Sequence, residues 1–575
     1  MNMRIARFSV LLTAAASLAV LHAQDDVVMK AMRDEMARSM KELTIEKLEK
    51  PYFIAYRIVD SENTGVVASF GALNRSSTNR YRTLSVEVRV GDYKLDNSHF
   101  FFFNVGAGNS MQMFNGSTSL PVEDDYKELR RQLWLATDSV YKKAVEDVAK
   151  KRATLQNRTR TDETDDFTRE DPVTTSVDVP TVKVDVPKWE SEARALSGLF
   201  RQMPAIQTSR VNFNATNSYT RYLTSEGTSY TRRQPNVVFS ANASTQAPDG
   251  SALDDGVWVH GRSLAEIPTQ EELAARVQRL GKYLTGLRDA PTIENYSGPV
   301  LAEGDAATQV FQDHFLPSLI ASKQTINGMQ GMNVTINGVT NSNQSENPFL
   351  DKVGARVLPD FLSVTDNPAI AEYLGHPMAG QSKMDEDGML SREVRLVDNG
   401  ILKALLMSRD PVRGFDHSTG SRHAGQAAPS NVIVTSSAAL SAADLHARFM
   451  DLLKQRNRPF GIVLRRMRNA NNAMLAYKVF PDGHEELVRG LQFAGMTAAS
   501  FKDIVAVSNE PNFLTVQYQP SRNNQMGMMV QGEESYTPLS LAVPSLLFED
   551  ATLRKIRVVS PNPPVVEHPF FDKDK

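Results

Sequence analysis

The sequence contains no cysteine among its 575 residues. This absence excludes disulfide bonds, thiol nucleophiles, iron–sulfur clusters and zinc sites with thiolate ligands. A metal ion would therefore need histidine, aspartate and glutamate as ligands. Positive charge is not in surplus either, because 64 lysines and arginines face 67 aspartates and glutamates and leave a net charge of −3. Nothing in this balance is typical of a nucleic-acid-binding protein, so we expect no nucleic-acid partner.

Hydrophobic runs long enough to cross a membrane are also missing from the sequence. The longest run covers residues 8–20 near the N-terminus and is too short to span a bilayer. Arg4 and Arg7 precede it and the small residue Ala23 follows it, which is typical of a secretory signal. We therefore predict a signal peptide over residues 1–23 and a periplasmic or extracellular protein without a membrane span in the mature chain. An uncleaved anchor is the alternative.

The remaining sequence alternates between helical and strand periodicity. Apolar residues at helical spacing predict helices over 28–43, 123–151, 189–203, 269–287, 305–322 and 440–455. Alternating or short apolar runs predict strands over 53–59, 66–73, 84–90, 206–213, 219–223, 229–232, 237–242, 299–301, 361–364, 393–397, 401–407, 431–435, 476–480 and 485–490. Turn signals at residues 225–227 and 398–400 join pairs of these strands.

Changes in composition divide the chain into regions. Residues 159–187 are first polar and acidic and then rich in proline and valine, which favours an exposed linker with a solvated charge run. The linker separates an N-terminal α/β region from the rest. We predict a signal peptide (1–23), an N-terminal α/β region (24–158), a linker (159–187), a middle region (188–291) and a C-terminal domain (292–575).

Three short motifs could carry chemistry. His484 and Glu485 begin like a zinc-binding HExxH motif, but no second histidine follows one turn later and the segment is predicted as a hairpin. Asp313 and His314 are adjacent on a predicted helix and point about 100° apart, so alone they do not form a metal site. The alternative for this pair is the polar edge of an amphipathic helix.

A loop over residues 415–423 combines an aspartate, two serines and two histidines. His417, Ser418, Arg422 and His423 could contact a substrate or supply metal ligands, and the alternative is a solvated loop. A serine–histidine–aspartate triad is not indicated, because triads are defined by geometry rather than by adjacency in sequence.

Several segments together resemble the TldD/PmbA (TldD/TldE) metallopeptidase family. They are Tyr296-Ser297-Gly298-Pro299-Val300-Leu301, Leu362-Ser363-Val364-Thr365-Asp366, Met384-Asp385-Glu386-Asp387-Gly388 and the stretch 396–403, with weaker likeness at 221–227 and at Ser418-Thr419-Gly420-Ser421-Arg422. The resemblance is strongest from 296 to 422, weaker from 189 to 291 and faint at the N-terminus. It implies an α+β fold, with an α/β N-terminal region and a β-rich C-terminal domain of TldD/PmbA type.

The resemblance also implies a function. Members form dimers that enclose a cavity in which unfolded peptides are cut. The active subunit carries His-Glu-x-x-x-His on the helix after the strand equivalent to 299–301, and a late cysteine completes the zinc site. Zinc would polarise the scissile carbonyl group and activate water, with the glutamate as base.

This sequence departs from the family pattern at those positions. Gln312 stands at the first histidine position, Asp313 at the glutamate and Pro317 at the second histidine, and no cysteine exists. Asp313 could still accept a proton, whereas proline has no side-chain ligand atom. The resemblance therefore implies a member without the usual zinc motif and closer to the non-catalytic partner subunit.

We therefore expect an exported peptide-binding protein, or a non-catalytic subunit, in a homodimer or in a heterodimer with a TldD-like subunit. Unfolded peptide or protein would be its substrate or ligand, and no cofactor is expected. One alternative is an active metallopeptidase with a rebuilt site, in which Asp313 and His314 act with His417 and His423 and zinc is bound only there. Another is a non-enzymatic scaffold of the cell envelope. For the active-peptidase alternative Asp313 and His314 are the candidate catalytic pair, and His417, Ser418, Arg422 and His423 are the candidate substrate contacts.

Overall fold

The computed structural model of the protein describes most of the chain. It covers residues 26–101, 116–156, 163–327, 335–336, 339–340, 347–519 and 536–556, and residues 562, 564, 566 and 568–571 near the C-terminus. The predicted signal peptide (1–23) lies outside the described residues. The α-helices of this part are α1 (Val27–Glu42), α2 (Tyr126–Gln156), α3 (Val186–Gly198), α4 (Gln270–Asp289), α5 (Asp305–His314) and α6 (Ala442–Gln455). None of these helices is both long and apolar enough to span a membrane.

The N-terminal half is built on a seven-stranded sheet that is almost entirely antiparallel. Four strands pair in the order Ser117–Leu120, Ala72–Val90, Pro51–Ser69 and Thr208–Thr224, and the last pairs with Ser229–Gln246. Ala252–Gly261 and the parallel Thr174–Val177 both pair with Ser229–Gln246. The predicted regions 24–158 and 188–291 thus contribute strands to one sheet, and their division stays a prediction.

Helices α1 to α4 cover one face of this sheet. Alternation along the strands places one set of apolar side chains on that face, and two buried clusters form there. Trp189 of α3 stacks on Phe213 with 3.7 Å between ring centroids, and Asp26 caps α1 by accepting the backbone N–H groups of Val28 and Met29. The helices therefore leave the opposite face of the sheet for other contacts.

Two predicted strand breaks in this sheet are wrong. The segments 53–59 and 66–73 form one strand, Pro51–Ser69, and the turn follows at Phe70 and Gly71, which have positive φ angles of 45° and 77°. Likewise, 206–213 and 219–223 lie within Thr208–Thr224. Polar residues between the apolar runs indicated loops, but long strands pairing on both edges satisfy the backbone of those polar residues too.

The C-terminal half contains an eleven-stranded mixed sheet. Its nine successive strands are Ile401–Leu402, Val394–Asp398, Leu362–Asp366, Asn431–Ser436, Thr537–Lys555, Asn295–Ala302, Gly461–Met467, Ala473–Val479 and Glu485–Val488. Leu491–Phe493 and Ile504–Tyr518 also pair with Thr537–Lys555. Helix α5 packs in the main core with one set of these strands, and α6 packs in a second cluster with Leu301 and Val463. Together the two halves confirm the predicted α+β fold class.

Helix α5 is shorter than predicted. The apolar periodicity predicted a helix over 305–322, but α5 ends at His314 and a 3-10 turn, Leu316–Leu319, follows. Pro317 lies in that turn, and its ring nitrogen has no N–H to donate to an α-helical hydrogen bond. The helix does begin directly after the strand Asn295–Ala302, as the sequence predicted.

The predicted linker is partly buried. The sequence favoured a solvated acidic run, yet Asp166 and Phe167 are each only 1% exposed. Asp166 accepts a hydrogen bond from Lys151 Nζ on α2 at 2.6 Å, and Lys323 Nζ lies 3.6 Å from its other carboxylate oxygen. Two lysines from distant parts of the chain therefore compensate the negative charge of Asp166, which the composition alone predicted to be solvated.

Candidate functional site

A cleft of about 930 Å³ is lined by residues of both the N-terminal and the C-terminal half. The sheet of the N-terminal half contributes Val238, Ser240, Trp258 and His260. Helix α4 adds Arg276, Arg279 and Tyr283. The C-terminal half closes the cleft with Asp305, Gln309, Arg466 and the strand residues Phe513, Leu514, Thr515, Val516 and Gln517. A cleft of this size is typical of a ligand-binding site.

Two strands that line the cleft each pair with another described strand along one edge only, and Leu440 bridges the other edge of Ile504–Tyr518 at Ser508, outside the cleft-lining residues 513–517. Ala252–Gly261 pairs only with Ser229–Gln246, and Ile504–Tyr518 pairs only with Thr537–Lys555, among the strands that the structure describes. An unpaired edge presents backbone N–H and C=O groups that can pair with an added strand. Both strands were missed from the sequence, although Val257 and Val259 alternate with Trp258 and His260.

Helix α5 reaches the cleft with its first turns, not with its last. Asp305 and Gln309 line the cleft, and Gln309 Oε1 accepts the backbone N–H of Met467 at 2.8 Å. His314, by contrast, donates from Nε2 to the carbonyl oxygen of Ala470 at 2.6 Å. Asp313 contacts Gln312, whose Nε2 lies 3.2 Å from Asp313 Oδ1. Asp313 and His314 therefore have different neighbours, and neither lines the cleft. Their catalytic role stays a prediction.

Three of the four predicted substrate contacts are held inside the molecule. Ser418 and His423 are 4% and 7% exposed, and His423 Nε2 lies 3.1 Å from Ser430 Oγ. Arg422 forms an ion pair with Asp387 at 3.2 Å and lies 4.0 Å from Glu87 of the N-terminal sheet. Only His417 is exposed. The structure gives the first three residues structural contacts, and their contact with substrate stays a prediction.

Charged side chains join the two halves on the face of the N-terminal sheet that the helices leave free. Arg57 of the N-terminal sheet pairs with Glu386 at 3.1 Å, and Arg89 pairs with Asp96 at 3.0 Å and with Asp410 at 3.4 Å. Burial opposes ionisation of Glu386, but the Arg57 guanidinium and a backbone N–H lower its pKa to about 2. The interface is therefore held by ionised groups rather than by apolar contact alone.

Arg409 is the most buried cation of this interface. It donates to Glu226 Oε2 at 2.7 Å and to the carbonyl oxygen of Thr168 at 2.6 Å. Its guanidinium lies 4.0 Å from the ring centroid of Phe167, and Arg89 lies 3.7 Å from the same ring. The buried part of the linker is thus enclosed by an arginine from each half, which no local sequence pattern could show.

The comparisons with known proteins agree with this architecture. Residues 297–555 match the family model of the PmbA/TldA metallopeptidase C-terminal domain. The C-terminal half of this chain therefore contains a TldD/PmbA-family domain. The matched range begins within the strand that precedes α5 and ends with the last strand of the C-terminal sheet. The resemblance to this family, which the sequence segments had indicated, is confirmed for this domain.

Solved structures share the fold over nearly the whole chain. TldE from Thermococcus kodakarensis has a TM-score of 0.53 at 12% identity and covers 91% of this chain and 99% of its own. A protein of Bacteroides thetaiotaomicron described as a modulator of DNA gyrase has a TM-score of 0.56 at 14% identity, with coverages of 92% and 98%. One of Thermotoga maritima with the same description has a TM-score of 0.54 at 14% identity, with coverages of 91% and 99%. No curated protein matches the sequence.

The TldD/PmbA resemblance implies zinc, but the residues present do not fit it. Gln312 and Pro317 occupy two of the three ligand and base positions of the implied motif, and Pro317 lies outside α5. The described residues contain no group of three or more histidine, aspartate or glutamate side chains that could hold a metal ion. In particular, Asp313, His314, His417 and His423 are not brought together as the rebuilt site would require. No catalytic step through zinc follows from these residues.

Asp313 nevertheless has an unusual titration behaviour. Burial raises its pKa to about 6, opposed by the hydrogen bond from Gln312. Because this pKa exceeds the value of about 3.9 expected in the unfolded chain, the folded state binds the proton more tightly. The stabilisation is complete below about pH 4 and is lost as the pH rises through 6.

We expect Asp313→Asn to remove this pH dependence. The neutral amide does not ionise, so the variant should exceed the wild type by at most about 3 kcal/mol in free energy of unfolding at pH 8 and match it near pH 4. Urea denaturation at the two pH values measures the difference. Asp451→Asn, at an exposed position of α6, is the control and should give parallel curves. The prediction would be contradicted if the free energy of unfolding of Asp313→Asn changed between the two pH values as much as that of the wild type.

Proposed function

We propose that this protein is an exported member of the TldD/PmbA family that binds an extended segment of unfolded polypeptide without cutting it through the family's zinc site. One observation carries the proposal. The cleft of about 930 Å³ is lined by two strands with unpaired edges, while the adjoining helix α5 lacks the implied ligands at Gln312 and at the nearby position 317.

An unpaired strand edge selects for the extended backbone rather than for particular side chains. An added peptide strand makes main-chain hydrogen bonds that any residue except proline can supply, and pockets beside the strand add preference. A folded domain has already paired its own backbone groups. The cleft is therefore suited to unfolded segments, which agrees with the substrate class that the family resemblance implies.

We further propose that the protein works in a dimer. A chain without the zinc ligands could present peptide to a TldD-like subunit that has them, or a homodimer could hold peptide between two clefts. The likeness in fold to TldE supports this assembly at the level of architecture. The N-terminal segment 1–23 supports export, and the whole assembly would then act outside the cytoplasm.

Filling the cleft should abolish peptide binding. Val238 lines the cleft and is partly exposed, so Val238→Trp should occupy space that a peptide needs and weaken binding by about tenfold or more. Fluorescence anisotropy of a labelled, unstructured peptide measures the affinity. Thr174→Trp places the same side chain at an exposed position of another strand of the same sheet and should leave binding unchanged.

Metal analysis and mass spectrometry of the incubated peptide complete the test. The proposal expects no stoichiometric zinc and an intact peptide after incubation with the mature protein alone. Cleavage that disappears in both Asp313→Ala and His314→Ala would instead establish the rebuilt peptidase site. Absence of peptide binding by the wild type would overturn the proposal and favour the envelope scaffold.

A further inference from the structure

We propose that the cleft prefers acidic peptide segments, and that Arg276 and Arg279 of α4 are the residues that set this preference. The inference rests on the proposed function, because it names the class of peptide that the same cleft would take. The evidence is the balance of paired and unpaired charge in the cleft lining, together with two aromatic side chains beside it.

Most charged groups in the cleft already have partners. Arg466 lies 3.4 Å from Asp255 and 3.9 Å from Asp305, so its charge is largely compensated. Glu266 accepts hydrogen bonds from the backbone N–H of Arg262 at 3.0 Å and from Ser263 Oγ at 3.3 Å. These groups therefore contact other residues of the cleft wall, which leaves them less available to a ligand.

Arg276 and Arg279 differ from those groups. They lie three residues apart on α4, so their side chains emerge on neighbouring positions of one helix face. Neither has an ion pair with any residue that the structure describes. Arg276 is partly exposed and Arg279 is exposed, so both can reach a carboxylate. Arg276 and Arg279 are therefore the cations of the cleft lining that have no carboxylate partner among the described residues.

The buried histidine of the lining, His260, adds no positive charge at neutral pH. Burial lowers the pKa of His260 to about 4, so this side chain is neutral there. His376 stacks on Phe513 with 3.8 Å between ring centroids. A bound carboxylate would thus find its positive partners on α4.

Two aromatic side chains line the same cleft as the arginines. Trp258 is 50% exposed and Tyr283 is 36% exposed, so both are accessible to a ligand, and aromatic residues are enriched in contact surfaces. A planar guanidinium binds a carboxylate with two hydrogen bonds, and an aromatic ring nearby can cover the apolar part of the peptide. We therefore infer that the preferred segments carry apolar residues next to glutamate or aspartate.

Two matched peptides test the inference with the full-length mature protein. One contains several glutamates among apolar residues, and the other has glutamine at the same positions. We expect the acidic peptide to bind about tenfold more tightly at low salt and to lose most of this advantage at 0.5 M NaCl. The variant carrying both Arg276→Gln and Arg279→Gln should bind the two peptides equally. Arg288→Gln, at an exposed position of the same helix outside the cleft, should keep the difference.

The outcomes separate the two proposals. Equal binding of both peptides by the wild type would overturn the acidic preference and leave the proposed function standing. An undiminished preference in the double variant would overturn the role of the two arginines. Binding of neither peptide would overturn the proposed function as well. Thermal unfolding of each variant excludes loss of the fold as the cause, and Arg276→Lys with Arg279→Lys, which keeps both charges, should retain the preference.

Discussion

Replacing Arg409 with methionine should lower the free energy of unfolding by about 3 to 5 kcal/mol. Arg409 is 2% exposed and compensates Glu226 at 2.7 Å, while Asp387 contributes a further nearby negative charge. Methionine has no charge and no donor, so the largely buried carboxylate of Glu226 would lose its cationic partner, and the carbonyl oxygen of Thr168 would lose this donor. The stacking of the guanidinium on Phe167 would be lost at the same time.

A neighbouring arginine provides the control for this prediction. Arg413 lies 3.9 Å from Asp351, with 77% of its side chain exposed. Arg413→Met should change the free energy of unfolding by less than about 1 kcal/mol, because solvent already screens that pair. Urea denaturation of both variants measures the contrast. Equal effects would show that the buried interface does not depend on Arg409.

The second large effect should follow from Lys151→Met, at about 3 kcal/mol of lost stability. The ion pair between Lys151 and Asp166 is 1% and 2% exposed and spans 2.6 Å. Asp166 also accepts the backbone N–H of Asp96 at 2.9 Å. Loss of the lysine would leave a buried carboxylate with reduced compensation and loosen the linker segment that packs between Arg89 and Arg409.

A surface pair of the same length separates burial from distance. Lys142 lies 2.6 Å from Asp138, but its side chain is 60% exposed, so Lys142→Met should cost less than about 1 kcal/mol. The double change Lys151→Met with Asp166→Asn should recover part of the loss, because the buried carboxylate is then neutral and Lys323 keeps its hydrogen bonds to the carbonyl oxygens of Thr164 and Asp165. Chemical denaturation of the three variants checks both expectations. Equal losses for Lys142→Met and Lys151→Met would refute the argument.

Local patterns in the sequence predicted many of the elements correctly. The helices α1 to α4 and α6 and the turn at residues 398–400 follow from spacing, caps and turn residues, which act over a few positions. The breaks between 59 and 66 and between 213 and 219 were wrong, because pairing with neighbouring strands overrides weak local strand propensity.

The candidate site was less accessible to sequence reasoning. Asp313 and His314 were predicted as an adjacent pair on a helix, with Asp313 at the glutamate position of the family motif, but the side chains of α5 that line the cleft are Asp305 and Gln309. Arg276 and Arg279 carry no motif, and a helix with arginines three residues apart is ordinary in sequence. Their proposed role in binding depends on the cleft that they line together with the strands Ala252–Gly261 and Ile504–Tyr518. These strands precede and follow α4 in the sequence, so no local pattern links them.

The sequence alone indicated the family and the α+β class and determined the absence of thiol chemistry. These properties depend on residue identity and on short-range spacing. The placement of Gln312 and Pro317 at the implied zinc-ligand positions stays a prediction. Only the tertiary structure decided that Asp166 is buried and that two strands with unpaired edges line one cleft. Both depend on contacts between residues far apart in the chain. The free energy of a buried charge is set by the groups that surround it in space, and a strand edge is unpaired only if no other strand lies beside it.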